Sequence, residues 1–164
     1  MNRMIATWFG VGYMRPAPGT WGSLVGLVMG VAIDYYLGFF AFLAAFFVIT
    51  ILGFWSCSSA VKGHQNKDPS EFVIDEVAGQ FLALLLPAAA FYSKGILNWA
   101  EVAYPAWIAA FVFFRLFDIW KPWLVGRADR RGDPAGIMLD DLWAGLFAGL
   151  AVMASAALIH GLVM

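Results

Sequence analysis

The chain is short of charge. Lys, Arg, Asp and Glu make up 13% of its 164 residues, where a soluble domain carries about 25%. With 62% apolar and aromatic residues, the chain is too hydrophobic for a soluble core or a polar disordered segment. A formal net charge of −1 lacks the basic excess that a nucleic-acid face requires, so no nucleic-acid partner is expected. The single cysteine, Cys57, can make no intrachain disulfide, and no CxxC pair or Cys/His set points to zinc. No apolar run ending in small residues follows Arg3, so no signal peptide is expected. What remains is an all-α, polytopic membrane bundle, with residues 1–164 forming one domain.

A spanning helix needs about 20 mostly apolar residues. The first 22 residues are too broken by Gly10, Gly12, Pro16, Pro18, Gly19 and Gly22, and are expected to lie at the interface. Five spans are predicted, over about 22–36, 38–56, 72–92, 99–120 and 137–163, with four spans and a re-entrant first hairpin as the alternative. Asp34 to Gly38 reads as a tight turn between the first two. Alternate loops then fall on opposite sides. Arg3, Arg15, Lys62, Lys67, Lys121, Arg127, Arg130 and Arg131 share one side, and Lys94 stands alone on the other. The positive-inside rule makes the basic side cytoplasmic. Gly22, Gly26 and Gly30, and Gly145 with Gly149, repeat at i+4, as in helices that pack closely in lipid.

The carboxylates divide the same way. Asp75 and Glu76 fall at the start of the third span, Asp118 in the last turn of the fourth, and Asp140 and Asp141 in the first turn of the fifth. Antiparallel helices bring all of them to one depth near the basic side. A charge inside a span costs a few kcal/mol on insertion scales, so it faces a partner or a wet cavity. The helix dipole alone accounts for Asp75, Glu76, Asp140 and Asp141 at N-terminal ends. It does not account for Asp118 at a C-terminal end, where Arg115 and Lys121 at i−3 and i+3 are expected to reach it. Oxygen ligands of this kind suit Mg²⁺, with Asp75, Glu76, Asp140 and Asp141 as candidate ligands. Lys121, Arg115 and Arg15 would supply the positive charge that a phosphate needs. No His/Cys set exists for a softer metal, and His64 and His160 read as bystanders.

Several phosphate chemistries are excluded. Gly63 stands where a cysteine-phosphatase loop after Cys57 needs arginine, and His64 lacks the preceding arginine of the histidine phosphatases. Val77 breaks the DxD pair that a haloacid-dehalogenase-type nucleophile at Asp75 would need, and no GxxxxGK[ST] loop occurs. Ahead of the first span, residues 10–23 form a glycine- and proline-rich loop. There Thr20 and Ser23 are plausible N-caps, and Gly19 permits close backbone approach. A helix N-terminus on the carboxylate side is an anion site.

Four stretches of the chain resemble the phosphatidylglycerophosphatase A family of bacterial membrane lipid phosphatases. They are Gly10-Val-Gly-Tyr with Pro16 to Ser23; Asp68-Pro69 with Val73 to Gly79; Phe114-Arg-Leu-Phe-Asp-Ile-Trp-Lys-Pro122; and Gly136 to Gly145. They run in register over most of the chain. Leu124 replaces a proline common in the family, and Gly132-Asp-Pro-Ala-Gly136 replaces a Gly-Gly-x-Gly run. The resemblance implies Mg²⁺-dependent hydrolysis of phosphatidylglycerophosphate to phosphatidylglycerol at the cytoplasmic face of the inner membrane. With that reaction in view, Asp118, Lys121 and Asp141 are the expected catalytic residues. Arg15, Gly19, Thr20, Ser23 and Arg115 would bind the phosphate. Water attack and an aspartyl-phosphate intermediate both fit the residues. An ion or proton transporter and a non-catalytic membrane scaffold are the alternatives from other classes.

Overall fold

The computed structural model describes residues 2–60, 69–97 and 99–163. Lys62, His64, Lys67 and Asp68 lie outside the described residues, as does the His160 side chain. Helices α1 (Asn2–Ala6), α2 (Pro18–Leu37), α3 (Phe39–Ala60), α4 (Ile74–Ser93), α5 (Trp99–Val102), α6 (Tyr104–Trp120), α7 (Leu124–Asp129) and α8 (Pro134–Val163) follow in order, with no strand among the described residues. Four of them, α2, α3, α4 and α8, are long and apolar enough to cross a membrane. α6 has 17 residues, including Arg115 and Asp118. Its length is roughly 25 Å, against a hydrocarbon core of about 30 Å.

Three boundaries differ from expectation, and proline sets each of them. The predicted span over 99–120 breaks at Ala103, because Pro105 has no amide to offer Glu101 and starts α6 afresh. Pro18 opens α2 four residues before the predicted start. Thr20 and Ser23 therefore lie inside the helix and not at its cap, and Ser23 Oγ donates back to the Gly19 carbonyl at 2.7 Å. Pro134 opens α8, so Asp140 and Asp141 stand in its second turn. The Asp133 carboxylate accepts from the Gly136 amide at 2.6 Å and caps this start. Arg131 and that amide hold the Asp133 carboxyl below the usual carboxylate range. The predicted turn over Asp34–Gly38 is also narrower than expected. α2 runs on to Leu37, and only Gly38, at φ +85°, leaves the helix.

α4 is the hub of the bundle. It is 67% buried along its apolar stretch, against 22–33% for the other three candidate spans, and it packs on α2, α3, α6 and α8. Lipid is no better a solvent for one apolar face than another, so close packing of small residues must hold such helices together. Gly22, Gly26 and Gly30 of α2 are buried against Val73, Val77 and Leu84. Gly145 of α8 lies directly on the backbone of Gly79, where an added Cβ would sit 2.2 Å from the Gly79 carbonyl oxygen. The outer surface carries exposed Val28, Phe47, Ile51, Val112, Leu150 and Leu158, the side chains a bilayer would cover.

The N-terminal segment is tied to the bundle and does not lie apart. Val73 donates its amide to the Ala6 carbonyl at 2.9 Å, and Arg3 pairs with Glu71 at 2.8 Å.

Candidate metal and phosphate site

The first turn of α4 begins with buried Ile74 and then presents Asp75 and Glu76. Adjacent helical residues point about 100° apart, so the two carboxylates diverge. Glu76 Oε1 faces Gly19, so close that a Cβ there would lie 2.2 Å from it. Asp75 lies within electrostatic reach of Cys57 on α3 and Asp141 on α8. Each acidic pair folds back in the same way. Asp75 Oδ1 accepts from the Glu76 amide at 3.1 Å, and Asp140 Oδ1 from the Asp141 amide at 3.0 Å.

Asp75, Glu76 and Asp141 each offer a carboxylate oxygen, and all three oxygens lie within 4.8 Å of one another. Two like charges at 4 Å repel by about 4 kcal/mol at an effective dielectric of 20. Such a cluster needs protons or a cation to hold it. Glu76 Oε2 and Asp141 Oδ1 are buried with no hydrogen-bond partner. A donor set made only of carboxylate oxygens, two of them orphaned, fits a hard divalent cation.

α6 supplies the positive charge. Arg115 Nη1 pairs with Asp118 Oδ2 at 2.5 Å, as the sequence leads one to expect, and also donates to Ser23 Oγ at 3.2 Å. Its Nε is buried without a partner. Asp118 in turn acts electrostatically on Glu76, Asp140 and Asp141. Arg115, Asp118, Glu76, Gly19, Ser23, Asp75 and Asp141 therefore form one contiguous site.

Lys121 goes elsewhere than expected. Pro122 stops α6, and Lys121 takes the left-handed conformation at its C-cap (φ 52°, ψ 53°). Its ammonium pairs with Asp129 and, at 3.1 Å, with Asp140, and not with Asp118. Burial works against the ammonium, but these two carboxylates outweigh it and hold its pKa above that of an ordinary lysine. Asp140 is thus drawn to Lys121 at the rim and stands outside the close trio. Thr20 is half-buried in the first turn of α2, and Arg15 is exposed, with no ion pair among the described residues. Gln80, one turn along α4 from Glu76, was not foreseen. It is fully buried, and neither atom of its amide has a partner. Its i+4 spacing from Glu76 was the available signal.

The family model described as Phosphatidylglycerophosphatase A matches residues 4–156. A Haemophilus influenzae protein named phosphatidylglycerophosphatase A is 37% identical over 152 residues, covering 92% of this chain and 86% of its own. The Escherichia coli protein of that name is 32% identical, covering 87% of this chain and 76% of its own. A Bacteroides thetaiotaomicron protein named putative phosphatidylinositol-3-phosphatase is 33% identical, covering 91% and 89%. No solved structure matches the chain.

Proposed function

The chain belongs to the phosphatidylglycerophosphatase A family and is a phosphoric monoester hydrolase built as a membrane protein; from that premise we propose that it hydrolyses phosphatidylglycerophosphate to phosphatidylglycerol, with Mg²⁺, at the cytoplasmic face of the bacterial inner membrane. The observation that carries the proposal is the buried carboxylate trio with two orphaned oxygens beside Arg115. The basic residues support the orientation. Arg3, Arg15, Lys121, Arg127, Arg130 and Arg131 belong to segments at the site end of the helices, and Lys94 to the opposite end. Exposed Trp120 and Trp123 at the site end suit the headgroup layer.

Asp75, Glu76 and Asp141 would hold the ion, with Asp140 beside them. When bound, Mg²⁺ supplies charge neutralisation on the phosphoryl oxygens and a more acidic bound water. Arg115 would donate to the phosphate through its unpartnered Nε, while Nη1 stays on Asp118 and Ser23. Lys121 would exchange a carboxylate partner for a phosphate oxygen, with Arg15 approaching from the loop. The amides of Gly19 and Thr20 belong to the first turn of α2, which has no acceptors within its own helix, and Ser23 steadies Arg115. Asp118 would take the proton of the attacking water as its oxygen bonds to phosphorus. It would return that proton to the glycerol oxygen as the phosphorus–oxygen ester bond breaks.

Phosphate release from phosphatidylglycerophosphate in detergent micelles is the direct test. Release that stops with chelator and returns with Mg²⁺ is expected, and turnover that ignores chelator would overturn the metal assignment. Phosphatidylinositol 3-phosphate belongs in the same assay because of the name of the Bacteroides relative. Faster release from it would displace the proposed substrate.

Gly19→Ala makes a second test. The new methyl group would meet the end of the Glu76 side chain at 2.2 Å and Arg115 Nη1 at 3.3 Å. Glu76 can rotate away, so thermal stability should hold while kcat/KM falls about 10- to 100-fold, as when groups supporting a metal site shift. Unchanged kcat/KM would separate Glu76 from the reaction.

A further inference from the structure

At the end of the bundle opposite the carboxylate site, the α2–α3 turn, the end of α4 and the start of α5 enclose a cavity of about 250 Å³. Asp34, Tyr35, Phe39, Phe40, Tyr92 and Trp99 line it. Asp34 is 5% exposed, and its Oδ2 accepts from Trp99 Nε1 at 2.5 Å. It has no ion-pair partner among the described residues. A buried carboxylate without a cation is poorly compensated by one indole donor.

The rings around it are held against one another. Phe39 stacks on Tyr92 at 4.9 Å, Phe40 meets the same Tyr92 edge-on at 5.4 Å, and Trp99 stacks on Phe91 at 5.7 Å. Behind the lining, Glu101 accepts from the hydroxyl of Tyr35 at 2.7 Å and adds a second negative charge nearby. Aromatic faces together with a desolvated carboxylate are the partners of an organic ammonium ion. Exposed Leu37, Phe40 and Leu97 form an apolar flank where acyl chains would lie.

We propose that this cavity binds an alkylammonium group, drawn either from the headgroup of a zwitterionic phospholipid in the leaflet at that end or from a free amine. Asp34 carries the charge recognition, the exposed rings of Tyr92 and Phe40 provide the aromatic walls, and buried Trp99 orients the carboxylate. None of these residues belongs to the phosphatase site, so the cavity acts as a separate lipid-binding position.

Native mass spectrometry of the purified protein in neutral detergent, with equal amounts of phosphatidylethanolamine, phosphatidylcholine and phosphatidylglycerol, tests this. Retention of the two ammonium-bearing lipids over phosphatidylglycerol is expected. Asp34→Asn, which keeps an acceptor for Trp99, should reduce that retention about tenfold while phosphate release is unchanged. Tyr92→Leu removes a wall without touching Asp34 and should reduce it as well. Displacement of the bound lipid by tetramethylammonium would support recognition of the ammonium group alone. Lipid retention that depends on Asp34 but resists tetramethylammonium would assign the site to intact lipids. Equal retention of phosphatidylglycerol, or no loss in either variant, would overturn the proposal.

Discussion

Asp141→Asn is expected to lower kcat about 10³-fold or more, the scale seen when a charge-stabilising group is removed from a reacting centre. The substitution preserves size and removes one negative charge from a trio whose oxygens lie within 4.8 Å. Without divalent cation the variant should melt no lower than the parent, because mutual repulsion is relieved. Added Mg²⁺ should raise the parent's Tm and raise the variant's much less, since stabilisation by a ligand follows its affinity for the folded state. Single-turnover phosphate release and a thermal melt with and without Mg²⁺ check both halves. Near-parental kcat would remove Asp141 from the site.

Gly145→Ala is expected to cost more stability than any other single methyl group added along α8. Its Cβ would fall 2.2 Å from the Gly79 oxygen and 3.0 Å from the Gly79 carbon, both in the backbone of α4. No side chain can turn aside, so the two helices must separate. Overpacking of this kind costs about 1–3 kcal/mol, or roughly 2–12 °C in Tm for a chain of this size. Activity should fall even below the melting range, because Asp141 lies one turn away on the same helix and Gly79 one turn from Asp75. Gly149→Ala is the graded comparison. Its nearest neighbours are Leu86 Cβ at 3.0 Å and the Ala83 carbonyl at 3.2 Å, which need to give by only a few tenths of an ångström, so its loss should be smaller. Equal melting of the two variants would contradict the close α4–α8 approach.

The one-sided placement of charge made much of this architecture legible. Asp75, Glu76, Asp118 and Asp141 could be brought to one depth from helix direction alone, and the structure joins them. The small-residue stripe of Gly22, Gly26 and Gly30 likewise marked a real interface. Helix starts were harder to place. Hydrophobicity rises gradually through residues 18–22 and 134–137, whereas Pro18 and Pro134 fix the first turn sharply. Pro105 carried the same signal within an apolar run and broke a span that hydropathy alone would join. Lys121 was misplaced because i+3 spacing presumes a continuing helix, and Pro122 ends it. The Asp34–Trp99 contact spans 65 positions, a separation that no local pattern encodes.

The trio draws two of its members from α4 and the third from α8, which comes later in the chain. Residues 75 and 76 leave the ribosome long before residue 141. Until α8 enters the bilayer, Asp75 and Glu76 lack the third carboxylate, and the Gly79 backbone lacks its cover. Synthesis order therefore delays assembly of the full carboxylate trio until α8 packs against α4.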